Sequence, residues 1–70
     1  MTVSYFIFRR KYGDHCGFDI AAYRELSRPP VAVVRDVTVD GERALSMTRA
    51  FNRWQLSPVH LVEAVLDRLG

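Results

Sequence analysis

The stretch Asn52-Arg53-Trp54-Gln55-Leu56-Ser57-Pro58-Val59-His60-Leu61-Val62-Glu63-Ala64-Val65-Leu66-Asp67-Arg68-Leu69 reads as the end of one helix, a short connection and a second helix with a clean start. Ser57 is a good N-cap, because its hydroxyl can accept from the orphan backbone donors of the first turn. Pro58 at the first helical position costs nothing, since its missing N–H would be unpaired there anyway. Leu61, Val62, Val65, Leu66 and Leu69 fall on one face of this helix, and His60, Glu63, Asp67 and Arg68 on the other. Upstream, Ala44, Met47, Phe51 and Trp54 recur at helical spacing, flanked by Leu45 and Thr48, so a first helix is expected from about Glu42 to Trp54. Asp40 serves as its N-cap, with Glu42 favourably placed near the helix N-terminus.

The chain before these helices reads as strands. Residues 2–11 are rich in β-branched and aromatic types, and Gly13-Asp14 supplies turn chemistry. Residues 16–24 alternate Phe18, Ile20 and Ala22 with Asp19, Ala21 and Tyr23, which suits a hairpin partner. Residues 19–26 could also make a short helix, but two turns without a strong cap are marginal alone, and the strand is preferred. Ser27-Arg28-Pro29-Pro30 breaks the pattern, because the residue before a proline is pushed towards extended backbone. Val31-Ala32-Val33-Val34-Arg35-Asp36-Val37-Thr38 forms the clearest strand.

The whole is therefore expected to be one α+β domain over residues 1–70, a three-stranded antiparallel meander followed by two helices packed on one face. The first strand is apolar on both faces, with Phe6 and Phe8 on one and Tyr5 and Ile7 on the other. A sheet covered on one side alternates more cleanly than this. The second face is therefore expected to meet a second copy, a ligand or another protein.

Seventy residues allow a single marginal core that buries only about 60% of the unfolded surface, and self-association is the expected source of extra stability. One cysteine, Cys16, excludes an intramolecular disulfide and a four-cysteine zinc site. A lone thiol and no secretory segment point to the cytoplasm, and the apolar run from Val3 to Phe8 is far too short to span a bilayer. The net charge is +2, with five basic and three acidic groups in residues 1–28 and five of each in residues 29–70. That does not demand a nucleic-acid partner. Nine of the ten basic residues are arginine, a bias that codon usage in a GC-rich genome also produces.

Three constellations can be imagined to carry chemistry. His60, Glu63 and Asp67 share a helical face at spacings that can hold a metal, but a solvated helix face explains them more simply. His15-Cys16 can make a reactive thiolate pair, yet adjacent strand residues point to opposite faces, so a turn histidine and a small apolar filler are preferred. Arg9-Arg10-Lys11-Tyr12 closes the first strand, and basic residues beside aromatics suit single-stranded nucleic acid. The same residues also blunt edge pairing. No Gly-x-Gly-x-x-Gly, Walker-type, His-Glu-x-x-His or Gly-x-Ser-x-Gly motif occurs. Neither a metal nor a cofactor is expected, and the chain is read as non-enzymatic.

Val31–Thr38, then Glu42–Trp54, then Pro58–Leu69 resembles the ribbon-helix-helix repressors, and the likeness implies a dimer whose paired ribbons read DNA. The ribbon here has one basic residue, Arg35, beside the acidic Asp36. A closer likeness rests on Asp36-Val37-Thr38-x-Asp40, then Asn52, then Leu56-x-Pro58-x-His60-Leu61, then Val65-x-Asp67. This pattern over residues 33–70 resembles a family of small uncharacterised bacterial proteins. It implies a β-meander running into two C-terminal helices, carries no assigned activity, and marks Asn52, Pro58, His60 and Asp67. Locally, Asn52 can bond to the connection between the helices, Pro58 can start the second helix, and His60 can orient the connection by a ring N–H.

The sequence thus reads as a cytoplasmic bacterial interaction module, expected to be a homodimer or to bind another protein, with no membrane contact. Nucleic-acid binding is the alternative. The expected contact surface is the uncovered sheet face, with Tyr5, Ile7 and Tyr23 as anchors and Arg9 and Lys11 as the rim.

Overall fold

A computed structural model describes residues 2–25 and 28–70. Strands β1 (Val3–Tyr12), β2 (His15–Arg24) and β3 (Ala32–Thr38) form an antiparallel sheet in the order β1-β2-β3. Helix α1 (Gly41–Arg53), a 3₁₀ turn (Pro58–His60) and helix α2 (Leu61–Leu69) follow. This is the expected α+β meander with two helices. Residues 19–24 are strand; Leu26 and Ser27, also part of the expected readings, lie outside the described residues.

The β1–β2 hairpin closes through Gly13-Asp14, with Tyr12 opposite His15. Gly13 has φ +59°, a left-handed conformation that glycine adopts without the Cβ penalty other residues incur. From there the register runs unbroken to Val3 opposite Arg24. The β2–β3 ladder carries an irregularity between Phe18 and Ile20, opposite Thr38 and Val34. Asp36, at φ +51°, sits within that bulge. Gly17 stands beside it, where a Cβ would lie 2.0 Å from Asp36 Oδ1.

The helices cover the face that carries Val3, Tyr5 and Ile7 of β1 and Ile20 and Ala22 of β2. Met47, Phe51, Leu61 and Val65 complete this core. Asp40 caps α1, its Oδ1 accepting from the N–H of Glu42 at 3.0 Å and of Arg43 at 3.4 Å. Arg43 in turn donates to the carbonyls of Arg68 and Leu69 and so ties α1 to the end of α2.

Three helical expectations are corrected. Trp54 does not continue the buried stripe of Ala44, Met47 and Phe51. It is the residue at which α1 stops, it is 70% exposed, and the Arg68 guanidinium lies over its ring at 5.6 Å. Ser57 occupies the cap position but makes no side-chain cap bond. The turn it precedes is 3₁₀, closed by the His60 N–H donating to the Ser57 carbonyl at 2.9 Å. Finally, only Leu61 and Val65 of the expected α2 face are buried, while Val62 and Leu66 point to solvent. A nine-residue helix at the margin of a small sheet has room for one narrow buried seam.

Candidate functional site

The alternation of a strand gives β1 two different apolar faces, and the structure decides which of them the helices take. Tyr5 is 2% exposed. Its ring meets Phe51 edge-on at 5.6 Å and its hydroxyl donates to the Leu56 carbonyl. Burial pushes its pKa up, against a smaller lowering influence from Arg24. Ile7 packs partly buried against the same core. Tyr5 and Ile7 are therefore core residues, and their expected role as exposed contact anchors is corrected. The physical reason is that α1 brings Phe51 and Met47 onto the odd-numbered side of β1.

Tyr23 lies on the other face. It stands opposite Ser4 in the ladder, and its ring packs edge-on against Phe6 at 5.8 Å. So Tyr23 does not share a surface with Tyr5, Ile7, Arg9 and Lys11. Arg9 and Lys11 stay exposed on the helix side of the sheet, opposite Phe18 and Cys16, towards the hairpin tip.

The open face is made of Phe6 and Phe8 from β1, Asp19, Ala21 and Tyr23 from β2, and Val33 and Arg35 from β3. Phe6 is 51% and Phe8 44% exposed. A depression of about 250 Å³ is lined by Phe8, Arg10, Asp19, Tyr23, Val33 and Arg35, with Ala21 and Pro30 also at its wall. Its floor holds Asp19, only 2% exposed. The Asp19 carboxylate accepts from the Tyr12 hydroxyl, from the Asp36 backbone N–H at 2.9 Å and from Arg10 Nε at 3.1 Å. Burial on its own would raise the Asp19 pKa; the Tyr12 and Asp36 hydrogen bonds and the charges of Arg10 and Arg35 outweigh it, and the net direction is downward. The Tyr12 pKa moves the opposite way, through burial and then its bond to Asp19. Asp19 is thus an ionised group held by Tyr12, Arg10 and the Asp36 backbone, a fastener for the bulge and for Arg10.

Asn52 and Gln55 take a role that the sequence does not announce. Asn52 accepts from the Tyr5 N–H at 2.7 Å and donates to the Tyr5 carbonyl at 3.0 Å. Gln55 accepts from the Val3 N–H and donates to the Val3 carbonyl, both at 2.9 Å. Two side-chain amides at the end of α1 thereby stand in for a neighbouring strand along the outer edge of β1. The expected bond from Asn52 to the helix connection exists through its backbone, since its carbonyl accepts from Gln55. A lone glutamine at a helix end carries no sequence signal for such a role.

Pro58 is buried and opens the 3₁₀ turn. His60, Glu63 and Asp67 are exposed, and no group of three histidine, cysteine or carboxylate side chains among the described residues could hold a metal ion. The His60 hydrogen bond in this turn comes from its backbone, not its ring. His15 contacts Asp36, with 2.9 Å between Nε2 and Oδ2, and stacks on Tyr12. Cys16 is exposed. No helix among the described residues is long and apolar enough to cross a membrane. The chain matches no protein-family model, no curated protein and no solved structure.

Proposed function

We propose that this chain is a small, non-enzymatic protein-binding module that self-associates through its open sheet face. The observation that carries the reading is the pair Phe6 and Phe8, about half exposed in the middle of a strand whose other side is already buried. Tyr23 and Val33 extend the patch on the neighbouring strands. Aromatic clusters of this kind are enriched at the centres of interfaces and supply most of the contact energy there. A chain of 70 residues also gains from covering such a surface, because its own core is small. The lone, exposed Cys16 fits a reducing, cytoplasmic setting.

The test is sedimentation equilibrium of the unaltered chain and of a Phe6→Ser, Phe8→Ser variant. The expected result is a concentration-dependent dimer that the double substitution converts to monomer while circular dichroism stays unchanged. An unaltered chain that stays monomeric at hundreds of micromolar sinks the reading.

One observation favours a second reading. Arg10 and Arg35 flank Phe8 and Tyr23 around the depression, and aromatics beside arginines also suit single-stranded nucleic acid. Anisotropy of labelled single-stranded RNA and DNA at low and moderate salt separates the two. Binding with a steep salt slope, abolished by Arg10→Glu and Arg35→Glu, would move the function to nucleic acid.

A further inference from the structure

β1 is an edge strand, and its outer edge is divided in two. In an antiparallel pair, alternate residues turn their N–H and C=O groups towards the partner strand and away from it. Val3 and Tyr5 turn theirs away from β2, since Gln55 and Asn52 take them. The register is unbroken from Val3 to Tyr12, so Ile7, Arg9 and Lys11 turn theirs outward too. Among the described residues these three outward pairs have no hydrogen-bond partner. The fold has covered one half of the edge with a side-chain imitation of a strand and left the other half as a template.

We propose that the outer edge of β1 at Ile7, Arg9 and Lys11 is a strand-addition site for an extended acidic peptide segment. The backbone supplies the affinity, as in other recognition by added strands, and the side chains select the partner. Arg9 and Lys11 lie on one side of the edge, exposed and without an ion pair among the described residues. Carboxylates directly across from them form favourable cross-strand pairs. The intervening residues of the added strand fall on the open face, beside Phe8 and the Arg10 stem, and Phe8 is 44% exposed there, so apolar side chains fit. The occupant is therefore a segment in which acidic and apolar residues alternate.

The same charges argue against a second copy on this edge. A two-fold pairing that uses the whole open stretch sets Arg9 against Arg9 and Lys11 against Ile7, and like charges directly opposite are destabilising. Cationic side chains on an edge are a recognised device against self-pairing. This edge site does not rest on the open-face dimer, and the two fail separately because different residues carry them.

The test uses a short fluorescein-labelled peptide of alternating glutamate and valine, blocked at both ends, titrated into the full chain and followed by anisotropy and amide NMR. Saturable binding is expected, with slowed hydrogen exchange at the Ile7, Arg9 and Lys11 amides. N-methylation of the central backbone amides of the peptide should abolish it. Arg9→Glu with Lys11→Glu should weaken it about tenfold, as two cross-strand pairs change sign. A peptide alternating lysine and valine should bind the double variant better than the unaltered chain. Any of three results overturns the proposal: no binding at millimolar peptide, binding indifferent to N-methylation, or slowed exchange of those amides that depends on protein concentration alone, which would assign the edge to a second copy.

Discussion

The two faces of β1 look alike in sequence and behave as opposites in the fold. Val3, Tyr5 and Ile7 join the core with Met47, Phe51, Leu61 and Val65, whereas Phe6 packs edge-on against Tyr23 and both Phe6 and Phe8 stay about half exposed. Hydrophobicity does not separate the two sets; two phenylalanines lie on the open side and a tyrosine on the buried one. What separates them is the polar end of that tyrosine. Its hydroxyl finds the Leu56 carbonyl beneath the helices, and its backbone finds Asn52. On the covered side, apolar burial is joined by these specific hydrogen bonds.

The largest test of that contrast is to remove one side at a time. Tyr5→Ser empties a core position and strands the Leu56 carbonyl, an effect of about 3–5 kcal/mol. A chain of this size holds only some 4–10 kcal/mol in total, so thermal denaturation should show a melting temperature lowered by well over ~10 °C. Phe6→Ser and Phe8→Ser on the monomer should each cost under about 1 kcal/mol. If the two faces respond equally in urea titrations, the division of β1 into a core side and a contact side is wrong.

Much of this is legible in the chain. The three strands, the Gly13 turn, the Asp40 cap and the α1 stripe of Ala44, Met47 and Phe51 each follow from local chemistry that tertiary contacts have no reason to override. Where local chemistry is silent, the sequence misleads. Period-two alternation reveals that β1 has two apolar faces and cannot say which one the helices choose, so Tyr5 and Ile7 read as open-side residues. Helical period places Trp54 on the buried stripe, but the helix stops there and the ring leaves with it. Asn52 stands out in the sequence without its true partner, because its bonds to Tyr5 span 47 positions. Asp19 reads as an ordinary polar residue of an alternating strand, although it anchors Tyr12, Arg10 and the Asp36 bulge.

The outer edge of β1 is divided as sharply as its faces. Asn52→Leu keeps the volume and removes both bonds to Tyr5, leaving a part-buried N–H and C=O unpaired, at a cost of about 2–3 kcal/mol. Asn52→Asp retains an acceptor for the Tyr5 N–H and loses the donor to its carbonyl, so roughly half that loss is expected in urea denaturation. Hydrogen exchange should report it locally, with the Tyr5 amide accelerated in Asn52→Leu, little changed in Asn52→Asp, and Ile7 unchanged in both. Equal exchange at Ile7 and Tyr5 in the unaltered chain would mean that the edge is not divided.

A smaller effect is expected at the bulge that shapes the open face. Gly17→Ala drives a Cβ to 2.0 Å from Asp36 Oδ1. Asp36 is part exposed, so its side chain can swing away, and the cost is the loss of its contact with His15 plus the shift of a bulge, about 1–2 kcal/mol. The measurement is the melting temperature together with the His15 ring resonances, which should move if Asp36 leaves. A variant that melts with the unaltered chain would show that the bulge has other room to relax.

A modest effect belongs to Asp19, and it is the one that pH can isolate. Its carboxylate is ionised in the fold below the pH at which a free aspartate takes up a proton, because Tyr12, the Asp36 N–H and the arginines favour the charged form over the cost of burial. A depressed pKa in the folded state means that the unfolded chain binds the proton first. The stabilisation is therefore complete above the unfolded value of about 4 and falls away as the pH drops through the lower, folded value. Asp19→Asn cannot titrate. It should cost on the order of 1 kcal/mol at pH 7, where the ion pair with half-exposed Arg10 is discounted for solvent, and the gap to the unaltered chain should narrow in urea titrations between pH 5 and pH 3. A gap that stays constant over that range would mean that Asp19 keeps the same proton affinity folded and unfolded. The bonds from Tyr12 and the Asp36 N–H and the charge of Arg10 would then favour the ionised form no more than burial opposes it, and Arg10 would not be fixed on the open face by charge.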